Sequence, residues 1–321
     1  MSCRSSASFW KSHVLVAVTL YLAIVDATAT CTVDTPDSIP PGYTSYLQKD
    51  ASVNLYYVRR DNATGPTVVL LHGWPQNWAS WYRVMRLFPS SYDVIAVNLR
   101  GVSPSNAPST GYTKAIMARD IRALLNSLNL RKVHLVGHDI GGMVSYAFAV
   151  QYPKRALSLT IIDVPLPGTP AFDQVNVDPR AWHFGFNAAK EFPEALTTGR
   201  ESFFYSKFMR ELSGGPDALT PQEIRVSVNA YSVPSTAHAG FEWYRAFAQD
   251  AEDNKEFAER EKLTLPVLAL TGSILSPEPY VFFMMQDLAK NVSGHSIDSG
   301  HFIPEEAPEQ LVKLVTAFLP K

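Results

Sequence analysis

Gly137-His138-Asp139-Ile140-Gly141 closes an apolar run, Val133-His134-Leu135-Val136, and opens a helical stretch from Met143 to about Val150. Small residues two places either side of a nucleophile mark a tight strand-to-helix turn that carries the nucleophile at its tip. Here the tip is a carboxylate. A carboxylate can attack carbon, and the product is then an alkyl ester of the protein itself. Attack on an acyl group would give an anhydride, a poor intermediate for ester or amide hydrolysis. Asp139 therefore points to an electrophilic sp3 carbon, as in epoxides and alkyl halides. An Asp that merely caps a helix is the plainer alternative.

A carboxylate nucleophile needs a base to release its ester. His301, in Ser299-Gly300-His301-Phe302-Ile303-Pro304, follows the last expected strand. An imidazole with an ordinary pKa of about 6.5 takes a proton from water at neutral pH. His134 and His295 lie in or beside strands, His238 in a polar segment, and His138 beside the nucleophile but expected to point elsewhere. Two acids could orient His301. Asp163 ends the run Leu157-Ser158-Leu159-Thr160-Ile161-Ile162, and Glu278 follows the next strand at some distance. Asp163 is the stronger candidate. Turns of this kind take backbone donors from the residue after the nucleophile and from a neighbouring loop. Those are Ile140 and, in His72-Gly73-Trp74-Pro75, Trp74. His72 is expected to hold its loop rather than to react.

These residues need a rigid frame. Tyr43 to Lys49 and Ser52 to Arg59 read as strands around a Lys49-Asp50-Ala51 turn. Thr67 to Leu71, Asp93 to Leu99, Lys132 to Val136, Leu157 to Ile162, Pro266 to Leu270 and His295 to Ile297 read as further strands. Near-continuous apolar runs suit strands buried on both faces of a parallel sheet. Met117, Ile121, Leu124, Leu125 and Leu128 share one face of a helix between them. Leu311, Leu314, Val315 and Phe318 do the same on a terminal helix opened by Pro308. The expected fold is α/β, a mostly parallel eight-stranded sheet with helices on both faces. From about Leu166 to Phe257 the buried-strand runs stop and aromatics crowd in. That stretch predicts a helical lid over the sheet's carboxyl edge.

The chain has 321 residues, 46% of them hydrophobic, and a net charge of -2. This suits a large core and gives no basic excess for nucleic acid. Arg4 and Lys11, an apolar run from Val14 to Val25, and Ala27-Thr28-Ala29 read as a cleavable secretory leader over residues 1–29. The run is short for a membrane span, which needs about 20 residues. Cleavage would remove Arg4, Lys11 and Asp26, taking the net charge from -2 to -3. Cys3 would leave with the leader, so Cys31 could bridge only to another chain. Asn62-Ala63-Thr64 and Asn291-Val292-Ser293 are glycosylation sequons. The division expected is core over 30–165, lid over 166–257 and core again over 258–321.

Together these motifs resemble the α/β-hydrolase epoxide hydrolases. The likeness rests on His72-Gly73-Trp74-Pro75, the Asp139 turn, Asp163 and the His301 segment, and covers nearly all of the expected mature chain. It rests also on Trp182-His183-Phe184 and Phe241-Glu242-Trp243-Tyr244-Arg245, which look like the lid pair of the His/Tyr subgroup. The resemblance implies that His183 and Tyr244 hydrogen-bond the epoxide oxygen as the ring opens. It implies a small apolar epoxide and water as partners, no metal and no cofactor. Trp74, Trp182, Phe184, Tyr205 and Tyr231 are the expected substrate contacts, and the two tyrosines are the expected replacements if His183 or Tyr244 fails. Asn98 stands where the family usually has Asp, and the acid after the sixth strand departs from the common pattern. Haloalkane dehalogenases share the nucleophile but typically follow it with Trp, where this chain has Ile140. Fluoroacetate dehalogenases resemble the chain in having a lid His and Tyr, but carry arginines where it has Ile140 and Met143. A non-catalytic binding protein on the same fold is the remaining alternative.

Overall fold

The computed structural model describes residues 38–49 and 51–319. The leader, Cys31 and the boundary at residue 29 lie outside them. Among the described residues eight strands form one sheet. They are β1 (Tyr43–Leu47), β2 (Tyr56–Arg60), β3 (Thr67–Leu71), β4 (Asp93–Val97), β5 (Val133–His138), β6 (Ala156–Ile162), β7 (Val267–Gly272) and β8 (Val292–Ile297). The order is β1-β2-β4-β3-β5-β6-β7-β8, antiparallel at β1, β2 and β4 and parallel beyond. The second strand starts at Tyr56 rather than Ser52, because the Asn54 N–H donates to the Asn106 side chain and not to a ladder.

Side-chain alternation explains why the central strands read as unbroken apolar runs. Val68 and Leu70 pack into one core with Val84, Met85, Leu311 and Val315, while Val69 and Leu71 pack into another with Met117, Ile121 and Val144. Successive residues point to opposite faces, and both faces are covered. Helices α1 (Tyr82–Leu87) and α13 (Pro308–Phe318) supply the first cover. Helices α2 (Lys114–Ser127) and α3 (Ile140–Gln151) supply the second. The short helix α12 (Ile303–Glu306) precedes α13.

The stretch between β6 and β7 is helical: α4 (Pro170–Asn176), α5 (Trp182–Ala188), α6 (Phe192–Thr197), α7 (Glu201–Leu212), α8 (Pro221–Tyr231), α9 (Pro234–Arg245) and α10 (Phe247–Arg260). The last helix runs to Arg260, three residues beyond the expected boundary. Helix α11 (Tyr280–Leu288) then joins β7 to β8. The helical layer is fastened to the core by buried polar contacts. Lys114 Nζ meets Asp250 Oδ2 at 2.7 Å and lies 4.5 Å from the centre of the Phe247 ring. The Trp243 indole donates to the Arg100 carbonyl at 3.2 Å. Among the described residues no helix is long and apolar enough to cross a membrane.

Candidate active site

In open α/β sheets, sites form at the carboxyl ends of strands where the strand order reverses. Here β3 lies between β4 and β5, so the reversal falls beside the loop after β3 and the turn after β5. Asp139 occupies that turn with φ 50° and ψ -126°. A non-glycine residue in this region is strained and persists only where packing holds it. The packing is very close. A Cβ on Gly137 would lie 2.3 Å from the Gly141 carbonyl oxygen, and one on Gly141 would lie 2.1 Å from the Leu71 oxygen. The expectation of small residues at both positions therefore has a steric cause. Helix α3 begins at Ile140, directly after Asp139 and three residues before the expected start.

The Asp139 carboxylate is almost wholly buried. The Trp74 amide donates to its Oδ1 at 2.8 Å, and the neighbouring Ile140 amide also acts to lower its pKa. Burial raises the Asp139 pKa, against the lowering effect of the His301 charge and these two amides. The same N–H groups can hold the negative charge of a tetrahedral adduct at the Asp139 carbonyl. His72 stands behind them. Its Nε2 accepts the Leu99 N–H at 3.1 Å and its Nδ1 donates to the Gly73 oxygen at 2.8 Å. Burial lowers its pKa to about 4, so it is neutral and structural, as expected.

His301 Nδ1 lies 2.7 Å from Asp163 Oδ2, and its Nε2 lies 3.8 Å from Asp139 Oδ2. Donation from Nδ1 to Asp163 leaves Nε2 as the basic nitrogen facing Asp139. Asp163 also accepts the Gly272 N–H at 3.1 Å, which fixes its other oxygen. Burial pulls the His301 pKa down. The Asp163 hydrogen bond and charge, with Asp139 and Glu306 further off, outweigh this and leave it above 6.5. Glu278 is exposed and lines the cavity, while Asp163 holds the imidazole.

Above these groups lies a cavity of about 360 Å³. Its wall includes Trp74, His183, Phe184, Phe208 and Tyr244 from the loop and lid. The His183 ring stacks on Trp74 at 6.1 Å, and Tyr244 stands edge-on to Trp74 at 5.4 Å and to His183 at 5.8 Å. Burial, then the nearby His301 charge, lowers the His183 pKa to about 3. Burial, with the Asp139 charge, raises that of Tyr244 well above 10. Both are therefore neutral and can donate a hydrogen bond.

Three expected substrate contacts are corrected. Trp182 is 42% exposed and is absent from the cavity wall. It is one helical step from His183, so the two side chains leave α5 about 100° apart. Tyr205 and Tyr231 are buried behind Trp74, edge-on at 5.8 and 6.3 Å, and do not line the cavity. Phe208 and Leu212 line it instead. Their i, i+4 spacing on α7 was the available signal. Tyr280 also lines it, at the start of α11, where no local pattern marks it. His138 does not point away from the site. Its Nε2 lies 2.8 Å from the His301 carbonyl oxygen. Among the described residues no group of three His, Cys, Asp or Glu side chains is placed to hold a metal ion.

Residues 66–308 match the family model for the α/β-hydrolase fold. This chain is an α/β-hydrolase. It is 31% identical to the soluble epoxide hydrolase of Corynebacterium sp. (strain C12) over 86% of this chain and 98% of that one. It is 28% identical to a fluoroacetate dehalogenase from a Burkholderia species, over 80% of this chain and 88% of that one. The crystal structure of Cfl2 from Burkholderia cenocepacia superimposes on this α/β-hydrolase with a TM-score of 0.80 and 30% identity, over 87% of this chain and 96% of that one. The relatives and the fold make this α/β-hydrolase a hydrolytic enzyme.

Proposed function

We propose that this α/β-hydrolase opens an epoxide to a vicinal diol through a covalent ester at Asp139. One observation carries the reading: a buried carboxylate nucleophile faces two neutral donors, His183 and Tyr244, across one cavity. An Asp139 oxygen attacks the less hindered ring carbon and forms a C–O bond as the epoxide C–O bond breaks. The departing oxygen takes a proton from the Tyr244 hydroxyl and a hydrogen bond from His183, so no free alkoxide is released. His301 Nε2 then takes a proton from water, and the hydroxide adds to the ester carbonyl. The Trp74 and Ile140 amides hold the resulting oxyanion. Collapse returns the Asp139 carboxylate and frees the diol, and the proton on His301 restores the lid donor by way of solvent. The chemistry needs no cofactor. Trp74, Phe184 and Phe208 favour an apolar epoxide.

The test is a single turnover in heavy-oxygen water with aromatic and aliphatic epoxides. Diol carrying unlabelled oxygen, with label then in Asp139, is expected. Turnover of haloalkanes or fluoroacetate but of no epoxide would transfer the reading to dehalogenation, which the Burkholderia relative performs by name. Buried Ile140 and Met143 beside the nucleophile offer a substrate carboxylate no cation, which favours the epoxide.

We infer further that the chain is exported and its leader removed. Arg4, Lys11, the Val14 to Val25 run and Ala27-Thr28-Ala29 support this. Mass spectrometry of the secreted protein is expected to place its first residue at Thr30. Retention of the leader in the product would refute it. Asn62 and Asn291 are both exposed, as carriers of glycans must be.

A further inference from the structure

A chain of buried polar groups runs beneath the His301 loop. Gln76 follows the loop after β3, His138 precedes the nucleophile, and Glu305 lies on α12. Their exposures are 0%, 0% and 3%. Glu305 Oε2 lies 2.5 Å from Gln76 Nε2, Gln76 Oε1 lies 3.0 Å from His138 Nδ1, and His138 Nε2 lies 2.8 Å from the His301 carbonyl oxygen.

The protons on this chain follow from what each atom can do. A carbonyl oxygen only accepts, so His138 Nε2 carries a hydrogen. The nitrogen and oxygen ends of a carboxamide have nearly the same shape, so two proton arrangements fit these heavy atoms. In the first, a His138 imidazolium donates to Gln76, which donates to a Glu305 carboxylate. In the second the amide is turned. A Glu305 hydroxyl donates to Gln76 Oε1, Gln76 Nε2 donates to His138 Nδ1, and both ends are neutral. Each arrangement holds the same number of protons and satisfies the same groups. The first buries two charges held apart by an amide, which is costly.

The surroundings decide against the first. Glu305 faces Glu223 on α8 and Glu306 on α12, two further carboxylates. Arg83 on α1 pairs with Glu223 at 2.9 Å and gives Nη1–H to the main-chain oxygen of Glu305. Glu306 accepts the amides of Gly214, Gly300 and Phe302 and stays with the loop. The His138 ring is 4.7 Å from the His301 ring. A permanent cation there would repel the charge that His301 gains below its raised pKa. Burial drives Glu305 well above the usual carboxylate range and His138 well below the usual imidazole range.

We propose that Glu305 is a protonated, neutral acid, and that Glu305, Gln76 and His138 form a charge-free chain that positions the main chain of His301. They are positioning residues, since the chain meets the reacting groups through the His301 backbone. The positioning role rests on the reading of His301 as the base; the proton arrangement does not.

Infrared and nitrogen NMR spectra of the resting, unmutated protein at pH 7 test the arrangement without turnover. A carboxylic-acid carbonyl stretch that disappears in Glu305→Gln is expected, with His138 as a neutral Nε2–H tautomer. An ionised Glu305 with an imidazolium at His138 would overturn the neutral chain. Glu305→Leu and Gln76→Met, checked for folding by circular dichroism, test positioning from both ends. Each is expected to lower kcat about tenfold with KM little changed, and to shift the NMR-measured His301 pKa by about half a unit. Glu305→Gln, whose amide can still donate to Gln76, is expected to restore most of the rate. Folded Leu and Met variants with the parent kcat, KM and His301 pKa would overturn positioning. If the unmutated protein turns over no epoxide, the fault lies in the proposed function, and the spectra and the His301 pKa still judge this chain.

Discussion

At the scale of the residue, reactivity comes from environment. Asp139 and Asp163 are the same side chain in two settings. One receives the Trp74 amide in a strained turn, and the other holds His301 Nδ1 at 2.7 Å. The first is placed to attack and the second to orient. Replacing His301 with Gln removes the base but leaves the nucleophile. The expected result is a trapped ester, seen by mass spectrometry as substrate mass added to the peptide carrying Asp139. Absence of that adduct with a turned-over epoxide would remove His301 from the second step. The pH dependence follows from the same contacts. His301 acts as a base when neutral, and its pKa lies above 6.5. The acid limb is therefore expected in kcat, the parameter that ester hydrolysis sets, above pH 6.5, with activity falling as the pH drops through it. Asp163→Asn removes the anion that stabilises the imidazolium, so the limb is expected to move down while kcat falls. A limb that stays put would show that Asp163 does not tune the base.

At the scale of the element, the lid matters because it carries both expected donors. His183 is on α5 and Tyr244 on α9, and each reaches the site only if the lid sits firmly on the sheet. The Lys114 to Asp250 pair joins α2 to α10 with both side chains almost wholly buried. The Lys114 N–H also donates to Asp250 Oδ1 at 2.8 Å. Removing one partner of such a pair leaves an uncompensated buried charge, at a cost of about 3 to 5 kcal/mol. Asp250→Ala is expected to lose stability on that order in urea unfolding. It should also lower activity more than it raises KM. A loss under 1 kcal/mol would mean that water reaches Lys114 freely.

At the scale of the whole molecule, buried neutral histidines couple stability to pH. His72 and His183 have folded pKa values of about 4 and about 3. The unfolded chain holds its imidazoles near 6.5, so below that pH it binds more protons than the folded chain. Their contribution is therefore complete above pH 6.5 and is lost as the pH falls toward the folded values. Between pH 6.5 and 5 each costs roughly 2 kcal/mol of stability. His301 acts the other way, since its raised pKa favours the folded state below 6.5 and that gain fades as pH rises through its folded value. His134 and His138, also lowered by burial, add to this loss, while Glu305, held protonated, opposes it along with His301. The change in urea midpoint between pH 7 and pH 5 is therefore expected to become less unfavourable in His183→Gln, and an unchanged pH dependence would contradict neutral burial of His183.

By itself the sequence determined the frame and singled out the pair proposed to react. Apolar runs buried on both faces, such as Thr67–Leu71, have one home in a parallel sheet, and a Gly-x-Asp-x-Gly turn has little steric freedom. Those are local constraints, and Asp139 and His301 were legible through them. The choice of Asp163 over Glu278 was open until β6 and β8 were placed on either side of β7, since only distance in space decides which carboxylate reaches an imidazole. The lid was legible as helical and aromatic, but not in phase. Trp182, Tyr205 and Tyr231 have the composition of a cavity wall and do not form it, because helix rotation and packing on Trp74 select which rings face inward. The chain from Glu305 through Gln76 to His138 belongs wholly to the tertiary structure. It joins residues 229 positions apart by a hydrogen bond, and no periodicity or spacing records such a contact.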